Sequence, residues 1–176
     1  MDDLIKLITQ AQAGDKDAFG QIYELFYPRI YRYCQFNLDR ELAQDLCQET
    51  FLRAWKALPS FSHKKGGSFQ AFLFKIARNL IIDFARKKKE FPLRDYQEIE
   101  TNEELAEQTD REFEKERLGR ALSQLADSER QIIILRYFEE MTVFEVAKIV
   151  GVREGALRVR VHRILKKLKD LIENHD

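Results

Sequence analysis

Apolar residues recur at helical spacing through nearly the whole chain, and no stretch alternates at period two for long enough to predict a strand. A short amphipathic helix carries its apolar residues on one face: Leu4, Ile5, Leu7, Ile8 and Ala11. Gly14 ends this helix, and Asp15 is a predicted N-cap for a second helix with a kink at Pro28. A third helix is predicted from Asp39 to just before Pro59, and a fourth over 69–88.

The pattern changes at Asp95. From there to Thr109 the chain is polar, acidic and poor in aromatic residues, so it cannot bury enough apolar surface to offset the entropy of ordering it. We therefore predict an all-α fold in which two small helical domains, residues 1–94 and 113–176, are joined by a flexible acidic linker over 95–112.

Helix signals return in the second domain. Ser128 with Gln131 resembles a capping box ahead of an apolar run, and Thr142 with Glu145 resembles a second one. Gly151 follows and is expected to end that helix. A longer basic helix over 154–172 comes next, so the order of elements predicts a helix-turn-helix.

The charge of the chain is balanced overall but unevenly distributed. It has 30 Lys and Arg against 30 Asp and Glu. Residues 63–94 hold nine basic and two acidic side chains, a net +7, and residues 151–170 hold seven and two, a net +5. Between them, residues 95–116 hold ten acidic and two basic side chains, a net −8. Two basic blocks of this kind indicate contact with nucleic acid.

The last helix separates into two faces when its residues are placed at about 100° steps. Its inward face is predicted to hold seven aliphatic residues: Leu157, Val161, Ile164, Leu165, Leu168, Leu171 and Ile172. Small and basic residues share the opposite face, where Val159 can contact a thymine methyl and Arg163 a guanine or a phosphate. The alternative is a basic face that is merely solvated.

The first domain carries two further surfaces. In the fourth helix, phenylalanines interleave with basic residues, a combination suited to tracking a phosphate backbone while bases stack. Those phenylalanines also fit a helix core, and we expect Phe69 and one of Phe72 and Phe74 to be buried. In the third helix, Leu52 lies in the middle of a polar face and is a candidate anchor for a protein partner.

These segments resemble those of a known family. Residues 45–55, DLCQETFLRAW, are similar to the polymerase-binding helix of extracytoplasmic-function sigma factors of bacterial RNA polymerase. Residues 69–80, FQAFLFKIARNL, resemble the regions of that family that contact the −10 promoter element, and residues 122–168 resemble its −35-binding region. The resemblance covers essentially the whole chain.

The resemblance implies a role for each surface. The third helix would bind the polymerase clamp through Asp45, Gln48, Glu49, Leu52, Arg53 and Lys56. Recognition and melting of the −10 element would use His63, Lys64, Lys65, Ser68, Lys75, Arg78, Asn79, Asp83, Arg86 and Lys87. The −35 element would contact Arg153, Glu154, Gly155, Ala156, Arg158, Val159, Arg160, His162, Arg163 and Lys166.

The chain departs from the family pattern at several of these positions. Phe72 and Gln70 stand where Trp and Arg are usual, and Arg153 replaces the customary N-capping Ser. Ala156 and Val159 stand where Thr and Ser are common. We expect the fold to be kept and the preferred promoter sequence to differ.

The resemblance also implies the partners: core RNA polymerase at its clamp and flap, promoter DNA, and an anti-sigma factor. The alternative function is a conventional helix-turn-helix regulator that works without polymerase.

We expect no enzymatic activity and no metal or cofactor, since paired carboxylates at metal spacing, a Cys/His cluster and a phosphate-binding Gly loop are absent from the sequence. Lone cysteines at Cys34 and Cys47, and the lack of an export signal or a long apolar run, predict a cytoplasmic protein without membrane insertion.

Overall fold

The computed structural model describes residues 2–62, 68–90 and 117–173, and within these ranges all regular secondary structure is helical. The chain divides into two compact units, Met1–Gln97 and Glu98–Asp176. The all-α prediction is confirmed. The predicted acidic linker, residues 95–112, lies outside the described residues. None of the described helices is both long and apolar enough to cross a membrane.

The described residues of the first unit form four α-helices: α1 (Asp2–Gln12), α2 (Lys16–Gln35), α3 (Arg40–Ala57) and α4 (Phe69–Glu90), with a 3-10 turn (Leu58–Ser60) after α3. α2 lies at the centre and packs against α1, α3 and α4, and α3 also packs against α4. The core is built from residues at helical spacing on each element; its largest fully buried side chains include Ile8, Ile22, Ile30, Tyr33, Leu58, Phe69, Leu73 and Phe74.

Local capping chemistry sets the beginnings of α2 and α3. A carboxylate oxygen of Asp15 accepts the N–H groups of Asp17 (2.9 Å) and Ala18 (3.1 Å), and the carboxylate of Asp39 accepts that of Leu42 (2.9 Å). Both aspartates satisfy backbone donors that the first helical turn leaves without a partner. α2 continues unbroken through Pro28, so this proline does not end the helix.

The described part of the second unit comprises helical residues 117–123 (α5), α6 (Asp127–Ile133), a π-helical turn (Ile134–Phe138), α7 (Val143–Val150) and α8 (Glu154–Glu173). In the π-helical turn the Glu139 N–H donates to the carbonyl of Ile134, 3.0 Å away and five residues earlier. The core of this unit is aliphatic and includes Leu122, Leu125, Ile132, Ile133, Ile134, Leu135, Met141, Val146, Ile149, Leu157 and Ile164.

The start of α6 differs from the prediction. The expected cap of Ser128 with Gln131 is wrong, because α6 begins after Ala126 and the Ala126 N–H donates to Glu129 Oε2 (3.2 Å). Ser128 is exposed, whereas Gln131 is buried among the aliphatic core residues. The predicted cap therefore lay two residues too far along the chain.

The helix-turn-helix has the predicted construction. Thr142 Oγ1 accepts the Glu145 N–H (3.2 Å), and Glu145 Oε2 accepts the Thr142 N–H (2.9 Å), so the capping box at the start of α7 is confirmed. Gly151 ends α7 with φ 77°, a left-handed conformation that glycine adopts without steric cost. Only Val152 and Arg153 then separate Gly151 from α8, so α8 starts in a new direction immediately after the turn.

Candidate functional site

The outward face of α8 is polar and basic over most of its length. Leu157, Ile164 and Leu168 are the buried side chains of this helix. The exposed ones include every residue of the predicted −35 set: Arg153, Glu154, Gly155, Ala156, Arg158, Val159, Arg160, His162, Arg163 and Lys166. These residues are all exposed, but they spread over about 240° around α8. Gly155, Val159, His162, Arg163 and Lys166 lie opposite the buried side chains, and Glu154 and Arg160 lie at the flanks.

Leu165 is a correction to the predicted inward face of α8. It is 38% exposed, while its neighbour Ile164 is buried. At about 100° per residue Leu165 lies roughly 80° from the centre of the buried arc, at a flank where the described elements leave it open.

The outward side of the N-terminal half of α8 leaves room for a ligand to approach closely. Arg158 approaches Glu154 to 3.7 Å, an exposed pair within one helical turn. A Cβ placed on Gly155 would meet no atom of the chain within 4 Å. A helix end of this kind can approach a flat surface closely, as base edges in a major groove require.

α4 exposes five of the side chains described on it: Lys75, Asn79, Ile82, Arg86 and Lys87. Four belong to the predicted −10 set. Lys75, Asn79 and Arg86 occupy the side of the helix opposite its buried residues, whereas Lys87 lies on the buried side, at the angle of Phe69 but five turns later. Arg78 and Asp83, also predicted, are only half-exposed. Arg78 has its Nε buried without a hydrogen-bond partner, and Asp83 lies 3.7 Å from Arg86.

The start of α4 gives one predicted residue a structural role. Ser68 Oγ accepts the Ala71 N–H (3.1 Å) and so caps α4. His63, Lys64 and Lys65 lie outside the described residues. Phe69 and Phe74 are buried as expected, and the half-buried Phe72 packs against Phe69 with ring centres 5.6 Å apart.

The outer face of α3 presents the predicted partner surface. Asp45, Gln48, Leu52, Arg53 and Lys56 are exposed. Glu49 is half-buried, and its Oε1 binds Arg53 Nε at 2.7 Å. Leu52 is 57% exposed, so the fold does not use this leucine for its core.

A pocket of about 450 Å³ lies beside Leu52, between α2 and α3. Its lining is mainly aromatic and comprises Lys16, Phe19, Tyr23, Gln48, Phe51, Leu52 and Trp55. Phe19 packs against Trp55 with ring centres 4.9 Å apart, and Tyr23 packs against Phe51 at 4.6 Å. These two pairs form the aromatic walls of a recess that Leu52 borders.

Sequence reasoning missed the α2 side of this surface. Phe19, Tyr23 and Tyr27 recur every four residues, which was a signal for an aromatic stripe along one edge of α2. Whether such a stripe closes against α3 or leaves a recess depends on the separation of the two helices. Sequence reasoning also missed that Ile82 is exposed on α4, on the same side of the helix as Lys75, Asn79 and Arg86.

The two cysteines are core residues. Burial raises the pKa of the Cys34 thiol well above its usual range and that of Cys47 to about 12, so both stay neutral at physiological pH. Among the residues that the structure describes, no three His, Cys, Asp or Glu side chains are grouped so that they could hold a metal ion.

Comparison with known proteins agrees with this arrangement. Residues 22–91 match the family model for Sigma-70 region 2, and residues 115–168 match that for Sigma-70, region 4. The ECF RNA polymerase sigma factor SigW of Bacillus subtilis is 31% identical, over 94% of this chain and 97% of that protein. BldN of Streptomyces coelicolor, another ECF sigma factor, is 32% identical over 96% of this chain, which spans 66% of BldN.

The fold is also that of a solved member of the family. The sigma factor RpoE from Bartonella quintana, solved in complex with the anti-sigma factor NepR, superimposes with a TM-score of 0.75 at 25% identity, covering 90% of this chain and 98% of RpoE. α3 and α4 lie in the region 2 match, while α7 and most of α8 lie in the region 4 match. The chain therefore belongs to the extracytoplasmic-function sigma factors, the promoter-recognising subunits of RNA polymerase.

Proposed function

We propose that the two units divide the work of a sigma factor between them. The first unit binds core RNA polymerase through the outer face of α3 and holds the −10 element along α4. The second unit places α8 in the major groove of the −35 element. Residues 95–112 link the two activities along the chain.

The observation that carries the polymerase role is the exposure of Leu52 beside an aromatic recess. Binding energy in protein interfaces concentrates in a few apolar anchors surrounded by polar residues. Leu52 has that setting, because Gln48 lies one turn before it and Lys56 one turn after it, both exposed. A helix-turn-helix regulator that acts without polymerase does not require such a surface in its other domain.

The DNA-binding role of the second unit is supported by the shape and charge of α8. Its first turn is small and open at Gly155 and Ala156, and arginines follow at Arg158, Arg160 and Arg163. Small residues permit close approach to base edges, while guanidinium groups hydrogen-bond guanine or phosphate. The order of elements, a capped α7, a left-handed glycine and a longer α8, is that of helix-turn-helix proteins.

The role of the first unit in melting rests on α4. Lys75, Arg86 and Lys87 are exposed and can follow a phosphate backbone, and Asn79 supplies hydrogen bonds to base edges. Holding bases outside the stack offsets the few kcal/mol that unstacking costs. This needs no covalent step, and we propose that the chain has no enzymatic activity of its own.

We further propose that an anti-sigma factor binds and regulates the chain; the structurally similar RpoE was solved in complex with the anti-sigma factor NepR. An inhibitor of this kind is effective when it covers a surface that polymerase needs, and the α3 face with its recess is such a surface. Because core polymerase is the principal partner, we place the chain in the cytoplasm.

Run-off transcription tests the proposed function directly. Core RNA polymerase is incubated with a library of promoter fragments, with and without the protein. We expect defined transcripts only when the protein is present, together with co-elution of protein and core on gel filtration. DNA binding by the protein without any association with core would instead favour a conventional regulator.

A further inference from the structure

One apolar side chain stands in the exposed stripe of α4. Lys75, Asn79, Ile82 and Arg86 are separated by four, three and four residues, so at about 100° per residue they lie within roughly 60° of arc. Lys75, Asn79 and Arg86 are polar or basic and can bind nucleic acid. The fourth, Ile82, is 39% exposed, and it lies between Asn79 on the turn before it and Arg86 on the turn after it.

The fold does not require an isoleucine at this position. Its neighbours Leu80 and Ile81 are buried and supply the apolar contacts of this turn of α4 to the core. Ile82 points to the other side of the helix, where the exposed residues of α4 lie. A solitary exposed isoleucine is common on protein surfaces, and it is the setting of Ile82 among polar DNA-binding groups that gives it a specific use.

We propose that Ile82 is a specificity-determining residue that contacts the 5-methyl group of a thymine in the −10 DNA held along α4. The inference rests on the proposed function of the first unit. Cations at Lys75 and Arg86 fix the phosphate backbone on either side and carry no sequence information. The thymine methyl is the apolar group that a base edge offers, and an aliphatic side chain is its natural contact.

The second unit offers a parallel. Val159 is exposed on the outward face of α8, with Arg158 and Arg163 close to it on that helix. Each proposed DNA-binding helix thus presents one exposed β-branched aliphatic residue among polar and basic ones. Such a side chain is stiff at χ1, so its methyl groups are held in a fixed direction and discriminate between neighbouring base positions.

A double-mutant cycle between protein and DNA tests this assignment. The protein is assembled with core RNA polymerase on a promoter obtained from the run-off experiment. Probes are prepared in which single thymines of the −10 region, on either strand, are replaced by deoxyuridine, which lacks only the methyl group. Binding of each probe is measured with the wild-type protein and with Ile82→Ala.

We expect deoxyuridine at one position to weaken wild-type binding about fourfold, the factor that burial of one methyl group supplies. With Ile82→Ala the same replacement should have no further effect, and Ile82→Val should keep most of the sensitivity. Ile5→Ala is the matched control, because Ile5 is likewise exposed, at 45%, but lies on α1. Its sensitivity to deoxyuridine should equal that of the wild type.

Three results would overturn the proposal. The first is an equal effect of deoxyuridine on wild type and Ile82→Ala at every position. The second is a −10 region without thymine on either strand. The third is a loss of core binding in Ile82→Ala without DNA present, which would assign Ile82 to a polymerase contact. A wild-type protein that directs no transcription with core would refute the proposed function itself, a result distinct from these three.

Discussion

Glu129 on α6 and Lys167 on α8 form an ion pair in which Lys167 Nζ donates to Glu129 Oε2 over 2.7 Å. The same carboxylate oxygen accepts the Ala126 N–H at the start of α6. One side chain therefore caps α6 and ties it to the helix proposed to read the −35 element. The hydrogen bond from Lys167 is the main cause that lowers the pKa of Glu129, although partial burial acts in the opposite direction.

The first prediction concerns pH. Because the pKa of Glu129 is lower in the folded than in the unfolded protein, its contribution to stability is present above the unfolded value of about 4.3 and is lost as pH falls through the folded pKa. Glu129→Gln should therefore lower the free energy of unfolding at pH 7 by about 0.5 kcal/mol, since the pair is partly exposed. Urea denaturation at pH 7 and at pH 3 measures this difference.

At pH 3 the wild type and Glu129→Gln should have nearly equal stability. The control is Glu173→Gln, which removes a looser exposed pair with Lys169 (3.5 Å) within α8 itself. Its effect should be smaller than that of Glu129→Gln at pH 7 and negligible at pH 3. A Glu129→Gln difference that is the same at pH 3 and pH 7 would refute the role of the charged carboxylate.

The second prediction tests the partner surface. Leu52→Asp should leave the protein folded, because Leu52 contributes little to the core, and should weaken binding to core RNA polymerase by about 2 kcal/mol or more. Circular dichroism measures folding, and competition for fluorescently labelled core measures binding.

The matched control for this surface is Leu25→Asp. Leu25 is 55% exposed on α2 but does not line the recess beside Leu52. It should bind core as the wild type does. An unfolded Leu52→Asp, or a folded one that binds core normally, would show that the outer face of α3 is wrongly assigned.

The third prediction compares two arginines of α8. Arg163→Ala should weaken binding to −35 duplex DNA by about 1–3 kcal/mol if the guanidinium contacts guanine through two hydrogen bonds. Arg158→Ala should have a smaller effect, because Arg158 already lies 3.7 Å from Glu154 and must leave it to reach DNA. Fluorescence anisotropy with −35 duplexes measures both, and equal affinity of wild type and Arg163→Ala would contradict this reading of the face.

The features that the sequence predicted well are those decided within a few residues. The cap at Asp15, the start of α3 at Asp39, the box of Thr142 with Glu145 and the end of α7 at Gly151 depend on local backbone donors and on local steric freedom. Local features of this kind can be predicted without knowledge of the tertiary structure.

The features that it missed depend on how elements meet. Leu165 fits the apolar period of α8, yet it is exposed, because only the placement of neighbouring helices decides how wide the buried arc is. Phe51 and Trp55 follow the apolar period of α3, and the spacing between α2 and α3 makes them walls of a recess. Periodicity predicts the side of the helix on which a side chain lies. It does not predict which neighbouring element, if any, packs against that side chain.

The fourth prediction concerns the turn before α7. Glu140 has φ 53°, a left-handed conformation that costs a residue with a side chain about 1 kcal/mol. Glu140→Gly should therefore raise the free energy of unfolding by about 0.5 kcal/mol, after allowing for the greater freedom of glycine in the unfolded chain. Gly151→Ala, at φ 77°, is the opposite test and should destabilise. Chemical denaturation of both variants measures whether the free energy of unfolding rises or falls. A lower free energy of unfolding in Glu140→Gly would contradict the argument.

The fifth prediction separates stability from DNA binding at Gly155. This residue lies in the first turn of α8 in an ordinary helical conformation, and a Cβ there would meet nothing within 4 Å. Neither the backbone nor the packing of the chain requires glycine, which is less favourable than alanine inside a helix by about 0.5–1 kcal/mol. Gly155→Ala should therefore stabilise the fold slightly, by up to about 0.5 kcal/mol so near the helix end.

The same variant should bind −35 duplex DNA at least about threefold more weakly, because the added methyl group would keep α8 from the base edges it is proposed to contact. Gly20→Ala is the matched control: Gly20 is also exposed, helical and open around its Cβ, but lies on α2. It should gain stability without any change in duplex binding. Thermal denaturation measures the change in stability, and anisotropy titration measures duplex binding. A Gly155→Ala protein that binds −35 DNA as tightly as the wild type would exclude close approach at this turn.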